Sequence, residues 1–293
     1  METLEALGHQ IQSVQDLGSV VKTMKSLAAV NIRHYEKAVR ALRDYSRGVE
    51  LGMQILLRRA PGLLSAVSPK PPGRLAAIIV GSDHGMCGQF NTRIVSHATQ
   101  RLRDVQRDAR SPLNLAVGIR AAAEIEASGY GVTESLTLPS SVAEITHRVQ
   151  ELLPVISQWR EQREVHRVWL FHQRPLSGAS YEARFEQIIP LNDDWLHSLR
   201  IRPWPTRMLP TFTMDWQALL SSLIRQHLFT AFYRALAESL AAENAARLAS
   251  MQAAENNIEE RLNELTSQYH RRRQNAVTEE LLDVTAGFEV LKS

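Results

Sequence analysis

The chain has 293 residues, of which 44% are hydrophobic and 22% are charged, a composition typical of a folded globular protein. Its net charge of +3 is too small and dispersed to indicate nucleic-acid binding by itself. The single cysteine, Cys87, excludes an internal disulfide, and the longest apolar run, residues 75–80, is far shorter than the ~20 residues that a membrane span needs. Because the N-terminus also lacks an apolar targeting segment, we expect a soluble cytosolic chain.

The first 60 residues predict one long helix. They contain no proline, and apolar residues recur at helical spacing at Leu4, Leu7, Ile11, Val14, Val21, Met24 and Ala28. Such a narrow stripe is typical of a coiled-coil seam, which needs a partner helix. Gly18 lies within the stripe and costs about 1 kcal/mol in a helix interior, so we expect a weak point there.

Residues 74–200 predict an α/β domain that follows a proline-rich linker. Predicted strands alternate with predicted helices; the strands are 75–80, 113–119, 165–172 and 185–190, and the helices are 91–105, 121–128 and 142–162. We expect the last two strands to pair as a hairpin through Gly178. This alternation favours a largely parallel, Rossmann-like sheet.

Residues 211–286 contain neither glycine nor proline, although the chain has 14 and 12 of them elsewhere. One helix of this length would measure about 110 Å, so we expect a rod rather than a helix inside a core. Its apolar stripe runs through Leu248, Met251, Ile258, Leu262, Leu265 and Tyr269. The two ends therefore predict a long antiparallel coiled coil, and the chain divides into a helix at 1–60, a side domain at 74–200 and a helix at 211–291.

The glycine-rich turn at residues 81–91 lies between a predicted strand and a predicted helix, where phosphates often bind. It contains neither G-x-G-x-x-G nor a Gly-Lys pair, which argues against a nucleotide site and an independent NTPase. A tight turn packed on the sheet is the favoured interpretation. Asp83, His84 and Cys87 lack the ligand spacing of a zinc site, and a buried, unreactive Cys87 is favoured over a catalytic thiol.

The sequence therefore predicts no catalytic, cofactor-binding or metal-binding residues. Two features stay open. His270 and the three arginines after it form either a solvated face or a contact with acidic groups of a partner, and the tryptophans at 195, 204 and 216 serve either core packing or docking. A rod with a side domain points to a mechanical role or, alternatively, to a coiled-coil scaffold or adaptor with an α/β recognition domain.

Three stretches resemble the gamma subunits of the rotary F-type ATP synthases. Residues 11–14 and 21–29 are similar to the family's I-x-S-V and T-K-A-M-x-M-V-A-A segments, and residues 82–91 resemble its S-D-x-G-L-C-G-x-F-N turn. Residues 235–287 resemble its last helix, in which 277–283 match I/V-T-x-E-x-x-D/E. Gln15, Asp16 and Gly18 replace the family's usual lysines, and Phe288 replaces its usual Ala. These departures favour a divergent branch, such as an alternative bacterial synthase.

The resemblance implies a non-catalytic central rotor stalk without a cofactor. It would transmit torque between the ion-driven c ring and the catalytic beta subunits, and so couple H⁺ or Na⁺ translocation to ATP synthesis or hydrolysis. The implied partners are the alpha, beta and epsilon subunits and the c ring, with no nucleic acid, at the cytoplasmic face of the bacterial inner membrane. By motif position, the resemblance assigns contact with a beta-subunit loop, the catch, to Arg273, Gln274, Thr278, Met24 and Lys25.

Overall fold

The computed structural model describes residues 3–59, 73–105, 111–176 and 180–290, with side-chain surroundings described up to 285. Over these ranges the chain forms helices and strands in an order that keeps the α/β region between two long helices. In chain order they are α1 (Leu4–Arg59), β1 (Arg74–Val80), α2 (Phe90–Val105), β2 (Leu113–Val117), α3 (Ile119–Ala127), β3 (Glu134–Leu136), α4 (Val142–Gln162), β4 (Val165–Pro175), β5 (Tyr181–Ile189), α5 (Asp193–Ile201) and α6 (Trp216–Val290).

The chain divides into two compact units. We call the first the coiled-coil unit; it consists of Met1–Ala28 and Leu248–Ser293. The second, the central unit, is Ala29–Arg247. Each long helix contributes residues to both units, so the three-part division expected from the sequence stays a prediction.

The central unit contains a five-stranded sheet in the order β3-β2-β1-β4-β5. The first four strands of this order are parallel, and β5 runs antiparallel beside β4. Ile78 in β1 lies opposite Leu115 on one side and Leu170 on the other. The mixed α/β architecture and the antiparallel last pair confirm the expected fold class, although the turn that contains Gly178 lies outside the described residues.

Both faces of the sheet are covered, because successive side chains of a strand point to opposite sides. Ala76, Ile78 and Val80 of β1 join a cluster with residues of α4 and α6, whereas Leu75 and Ile79 join a second cluster with residues of α2 and α3. This two-sided burial explains why residues 75–80 are continuously apolar rather than alternating.

Part of α6 is itself a core helix. Phe232, Leu236 and Leu240 are at most 4% exposed and belong to the cluster on one face of the sheet. The expectation of a rod rather than a core helix is therefore wrong for residues 230–246. This segment is rich in alanine, and its small side chains let the helix lie close to the strands.

The structure corrects several element boundaries. Helix α6 begins at Trp216 rather than near 211, because the carboxylate of Asp215 accepts hydrogen bonds from the backbone N–H groups of Gln217 and Ala218, at 3.0 and 3.1 Å. Strand β3 and helix α5 were not predicted. In α5, Trp195 stacks on His227 with ring centroids 4.7 Å apart, so this tryptophan serves packing.

The coiled-coil unit pairs the start of α1 with the later part of α6. Gly18 lies opposite Ile258, and the Lys25 ammonium donates a hydrogen bond to Oε1 of Gln252 at 3.0 Å and pairs with the Glu255 carboxylate. A later residue of α1 contacts earlier residues of α6, which confirms that the two helices run antiparallel. The seam buries the side chains of Leu7, Val21, Ala28, Met251 and Leu265.

Gly18 has a packing role in this seam. A Cβ atom at this position would lie 3.3 Å from Cγ2 of Ile258, tighter than ordinary van der Waals contact. Helix α1 continues through Gly18 without a break. The absence of a side chain therefore allows close helix approach, and this gain offsets the low helix propensity of glycine.

Candidate functional site

The turn after β1 is held by the side chain of Asn91. Its Oδ1 accepts a hydrogen bond from the Ser82 backbone N–H at 2.9 Å, and its Nδ2 donates to Ser82 Oγ at 2.7 Å. The Ser82 hydroxyl in turn donates to the His84 carbonyl at 2.9 Å. Ser82 is fully buried, so its polar atoms are satisfied within the protein rather than by a ligand.

Asp83 provides an internal anion at the ends of the parallel strands. One carboxylate oxygen accepts a hydrogen bond from the N–H of Ile119, the first residue of α3, at 2.9 Å. The other accepts from the N–H of Leu138, just after β3, at 2.8 Å. A helix N-terminus favours an anion, and here the chain's own carboxylate accepts from the first N–H group of α3.

Glycines bring the backbone segments of this turn together. Gly118 has φ 117°, and a Cβ there would lie 2.7 Å from the carbonyl oxygen of Ser82. At Gly81 a Cβ would lie 2.4 Å from Cβ of Ala121. These glycines serve close packing inside the protein, which confirms the interpretation of residues 81–91 as a tight structural turn.

Cys87 is buried beneath the same turn. Its side chain is 2% exposed, and its sulfur lies 3.6 Å from Ser82 Oγ. Burial raises the pKa of the Cys87 thiol, so the thiol stays protonated and is a poor nucleophile at neutral pH. Among the described residues no group of His, Cys, Asp and Glu side chains could hold a metal ion.

Helix α6 packs directly on this turn. Ala242 and Ala246, one helical turn apart, lie in a cluster with Cys87 and Phe90. The segments 82–91 and 235–287, which both resemble the gamma-subunit family, are thus in contact. The sequence analysis did not predict this contact. The two alanines at i and i+4 were the available signal, since they form a smooth helix face.

An ion pair of α6 faces this turn. The Arg247 guanidinium donates to the Glu243 carboxylate at 2.6 Å and to the Gly85 carbonyl at 3.4 Å. Burial raises the pKa of the Glu243 carboxyl, although the charge of Arg247 acts in the opposite direction. Arg247 therefore offsets part of the cost of a carboxylate whose side chain is only 6% exposed.

Three of the five residues assigned to the beta contact lie together near the end of α6. Arg273, Gln274 and Thr278 are all exposed, and they fall within one and a half helical turns. The Thr278 hydroxyl donates to the backbone carbonyl of Gln274 at 2.8 Å, so this bond does not engage the Gln274 side-chain amide.

The other two residues lie at a different level of the coiled coil. Met24 and Lys25 are half-buried, and the Lys25 ammonium is engaged by Gln252 and Glu255. Arg273 follows Glu255 by 18 residues, a distance of about 27 Å along a helix. The structure therefore does not bring Met24 and Lys25 together with Arg273, Gln274 and Thr278.

The end of α6 also exposes apolar side chains that the sequence analysis did not single out. Val277, Leu281, Leu282 and Val284 are between 49% and 63% exposed. Extending the register set by Gly18 and Ile258 places Leu4, the first residue of α1, opposite about residue 272, so α1 begins about one and a half helical turns short of Val277. Contiguous exposed apolar surface on a soluble protein marks a contact site.

This combination of a two-helix coiled coil and an α/β unit inserted between the same two helices defines the class of central-stalk proteins. The ATP synthase family model matches residues 3–291. Similar curated proteins are the ATP synthase gamma chains of Synechococcus sp., with 27% identity over 100% of both chains, and of Polynucleobacter necessarius, with 25% identity over 98% of this chain and 99% of that one. The chain therefore belongs to the ATP synthase gamma family, which forms the central stalk of rotary F-type ATP synthases.

Two solved structures share the fold. The rotor of the Euglena gracilis mitochondrial ATP synthase aligns with a TM-score of 0.62 at 14% identity, over 94% of this chain and 98% of that one. The central stalk and c ring structure from Tetrahymena thermophila mitochondria aligns with a TM-score of 0.59 at 18% identity, over 80% of this chain and 99% of that one.

Family membership confirms that the chain is a non-catalytic subunit, and it excludes the alternative of an unrelated scaffold or adaptor. The subunit is a peripheral part of a membrane-bound complex. Within the described residues, none of the helices has the length and apolar character required to cross a bilayer.

Proposed function

We propose that this chain turns with a c ring of ion-driven subunits and transmits torque to the catalytic beta subunits, which stand with alpha subunits around the end of α6. The observation that carries the proposal is the exposed end of α6, where arginine, amide and apolar side chains extend beyond the start of α1. A helix end of this kind presents apolar area that other chains would bury.

The coupling requires that the shaft contact the beta subunits differently in each rotary position. A rotor can shift the nucleotide affinity of a beta subunit only through a difference in interaction free energy between its states. Arg273 and Gln274 offer charged and neutral donors for carboxylate or carbonyl groups of a beta-subunit loop. Thr278 and the neighbouring apolar residues would complete this contact.

Met24 and Lys25 form a second, separate level in the same proposal. Because Lys25 is engaged by α6, its first role is to hold the register of the two helices, and Met24 would contact the surrounding subunits beside it. The remaining proposed partners are epsilon and the c ring, which would bind the central unit. The relatives reported above are bacterial, which supports a place at the cytoplasmic face of the bacterial inner membrane.

The test uses the assembled synthase in lipid vesicles, with Arg273→Ala and Gln274→Ala in this chain. We expect each change to lower the yield of ATP per unit of ion gradient by about two- to tenfold, because one exposed or partly buried hydrogen bond contributes about 0.5–1.5 kcal/mol. Arg261→Ala is the matched control, since Arg261 is exposed but pairs with Glu264 on its own helix at 3.0 Å. Synthesis and ATP-driven pumping at the control level in both variants would contradict the assignment.

A further inference from the structure

Helix α6 carries a carboxyl group at a position where a negative charge is unfavourable. The side chain of Glu243 is only 6% exposed. On the same segment of α6, Ala242 and Ala246 pack on the turn of residues 81–91 through Cys87 and Phe90. Burial in a protein interior disfavours the ionised form of a carboxyl group. The torque proposal does not require an ionisable group here, so the presence of Glu243 calls for a separate explanation.

Three elements bring ionisable side chains close to Glu243. On its own helix, the Arg247 guanidinium donates to the Glu243 carboxylate at 2.6 Å and also to the carbonyl of Gly85 in the turn at 3.4 Å. Among the described residues, the ionisable groups whose charges act on Glu243 or respond to it are Arg247 of α6, Asp83, His84 and Cys87 of the turn, and Tyr35 of α1.

These neighbours favour opposite states of the Glu243 carboxyl. Arg247 favours the carboxylate, and the exposed His84 does so when it is protonated, whereas the negative charge of Asp83 disfavours it. Asp83 is held in place, because its two oxygens accept hydrogen bonds from the backbone of α3 and of the segment after β3. Burial raises the pKa of the Tyr35 hydroxyl and of the Cys87 thiol. Both groups therefore stay uncharged at neutral pH.

The balance of these effects sets how the proton on Glu243 affects stability. Burial raises the pKa of the Glu243 carboxyl, Arg247 opposes this increase and Asp83 adds to it, and the pKa ends above its ordinary value. A carboxyl of this kind binds a proton more tightly in the folded chain than in the unfolded chain. Its stabilising contribution is complete below the ordinary glutamate pKa of about 4.3. That contribution is lost as the pH rises through the folded-state pKa.

We propose that Glu243 is a proton-sensitive latch between α6 and the turn of residues 81–91. When Glu243 takes up a proton, the cost of its buried charge disappears and α6 packs more firmly on the turn. When the proton leaves, this packing weakens, and the ion pair with Arg247 keeps the carboxylate in place. The latch regulates packing inside the central unit, so it does not depend on the torque proposal.

The first test follows urea denaturation of the purified full chain between about pH 5 and pH 8. Glu243→Gln keeps the size of the side chain and an acceptor oxygen for Arg247, but it cannot ionise. Any structural effect of the amide is the same at every pH. The denaturation midpoint of this variant, relative to that of the wild type, should therefore increase steadily as the pH rises, because only the wild type acquires the buried charge.

Glu264→Gln is the matched control for this measurement. Glu264 also pairs with an arginine on α6, Arg261 at 3.0 Å, but its side chain is 62% exposed. Its midpoint relative to the wild type should change much less with pH than that of Glu243→Gln. A relative midpoint of Glu243→Gln that is independent of pH, that decreases as the pH rises, or that follows the control would overturn the proposal.

The second test locates the effect at the turn, because the native Cys87 lies beneath it. Its rate of reaction with a pyridyl disulfide reports how often the turn opens. At about pH 8, Glu243→Gln should slow this reaction at least about twofold relative to the wild type, and the two rates should converge toward about pH 5. The negative charge of Glu243 raises the pKa of the Cys87 thiol, so its removal alone would speed the reaction. Unchanged or faster labelling at pH 8 would contradict the latch.

A third measurement needs no variant that could fail to fold. The wild-type chain, labelled with carbon-13 at its glutamate carboxyl groups, should show one carboxyl that titrates at higher pH than the others. In Arg247→Gln this titration should move further upward, because the neighbouring positive charge is lost; circular dichroism checks the fold of this variant. The absence of any glutamate that titrates above the ordinary range in the wild type would overturn the proposal.

Discussion

Two segments of helix α6 have similar helix-forming sequences and opposite environments. In residues 230–246, Phe232 and Leu236 are 1% and 2% exposed, whereas in residues 273–285, Leu281 and Leu282 are 62% and 63% exposed. Both segments lack glycine and proline. Helix propensity therefore determines that both are helical, and the neighbouring elements determine which one is buried.

The neighbours differ for a simple geometric reason. Residues 230–246 meet the apolar face of a five-stranded sheet and helix α4. Residues 273–285 continue past the level at which α1 begins, and among the described residues their apolar side chains stay exposed. The apolar side chains of this segment are exposed to water in the single chain. A function in which other chains cover them explains why they are apolar.

The largest expected effect comes from truncating one apolar side chain in each segment. Phe232→Ala should lower the free energy of unfolding by about 3–5 kcal/mol, because it leaves a cavity against the sheet. Leu282→Ala should change it by less than about 0.5 kcal/mol, as is usual for an exposed position. Urea denaturation of the full chain measures both, and equal losses would show that the two segments do not differ as described.

The turn that packs on the buried segment should also contribute to stability. Asp83→Ala removes the acceptor for two backbone N–H groups, those of Ile119 and Leu138. We expect a loss of about 1–3 kcal/mol in the free energy of unfolding, the usual cost of leaving such groups unsatisfied. Asp16→Ala is the control, because Asp16 is exposed and, among the contacts described, its carboxylate accepts a hydrogen bond only from the Gln12 side chain. A loss no greater than that of the control would contradict the role given to Asp83.

The smallest effect is expected at the level between the two segments, where Lys25 pairs with Glu255. Their side chains are 28% and 31% exposed, so water screens the pair and a coupling energy of about 0.2–1 kcal/mol is expected from a double-mutant cycle with alanine. The coupling should decrease as salt is added. The pair Arg261 and Glu264, at 55% and 62% exposed, should show less. A larger coupling energy for Arg261 and Glu264 than for Lys25 and Glu255 would contradict this expectation.

The elements that the sequence predicted well have local signals. Strand β1 is a continuous apolar run that ends at Gly81, and β4 and β5 are rich in β-branched and aromatic residues. The missed elements lack such signals. Strand β3 has only three residues, Glu134–Leu136, and takes its form from pairing with β2. Helix α5 has nine residues and depends on an Asn192 side chain that accepts from the Trp195 N–H.

Contacts distant in sequence were not predictable. Helix α3 begins at Ile119, two residues earlier than expected, and the carboxylate at its first turn comes from Asp83, 36 residues away. The docking of Ala242 and Ala246 on the Cys87 turn joins residues more than 150 positions apart. The catch residues came from family resemblance alone, since nothing in their local pattern distinguishes Arg273 from the arginines before it.

The central claim is that other subunits cover the exposed end of α6 in the working complex. The most direct measurement compares thiol labelling of Leu281→Cys in the isolated full chain and in its complex with alpha and beta subunits; the native Cys87 is buried and should react slowly. Met208→Cys, at a position 81% exposed in the central unit, is the control. The account predicts rapid labelling of Leu281→Cys in the isolated chain and strong protection in the complex, with little change at Met208→Cys. Equally rapid labelling of Leu281→Cys before and after assembly would contradict it.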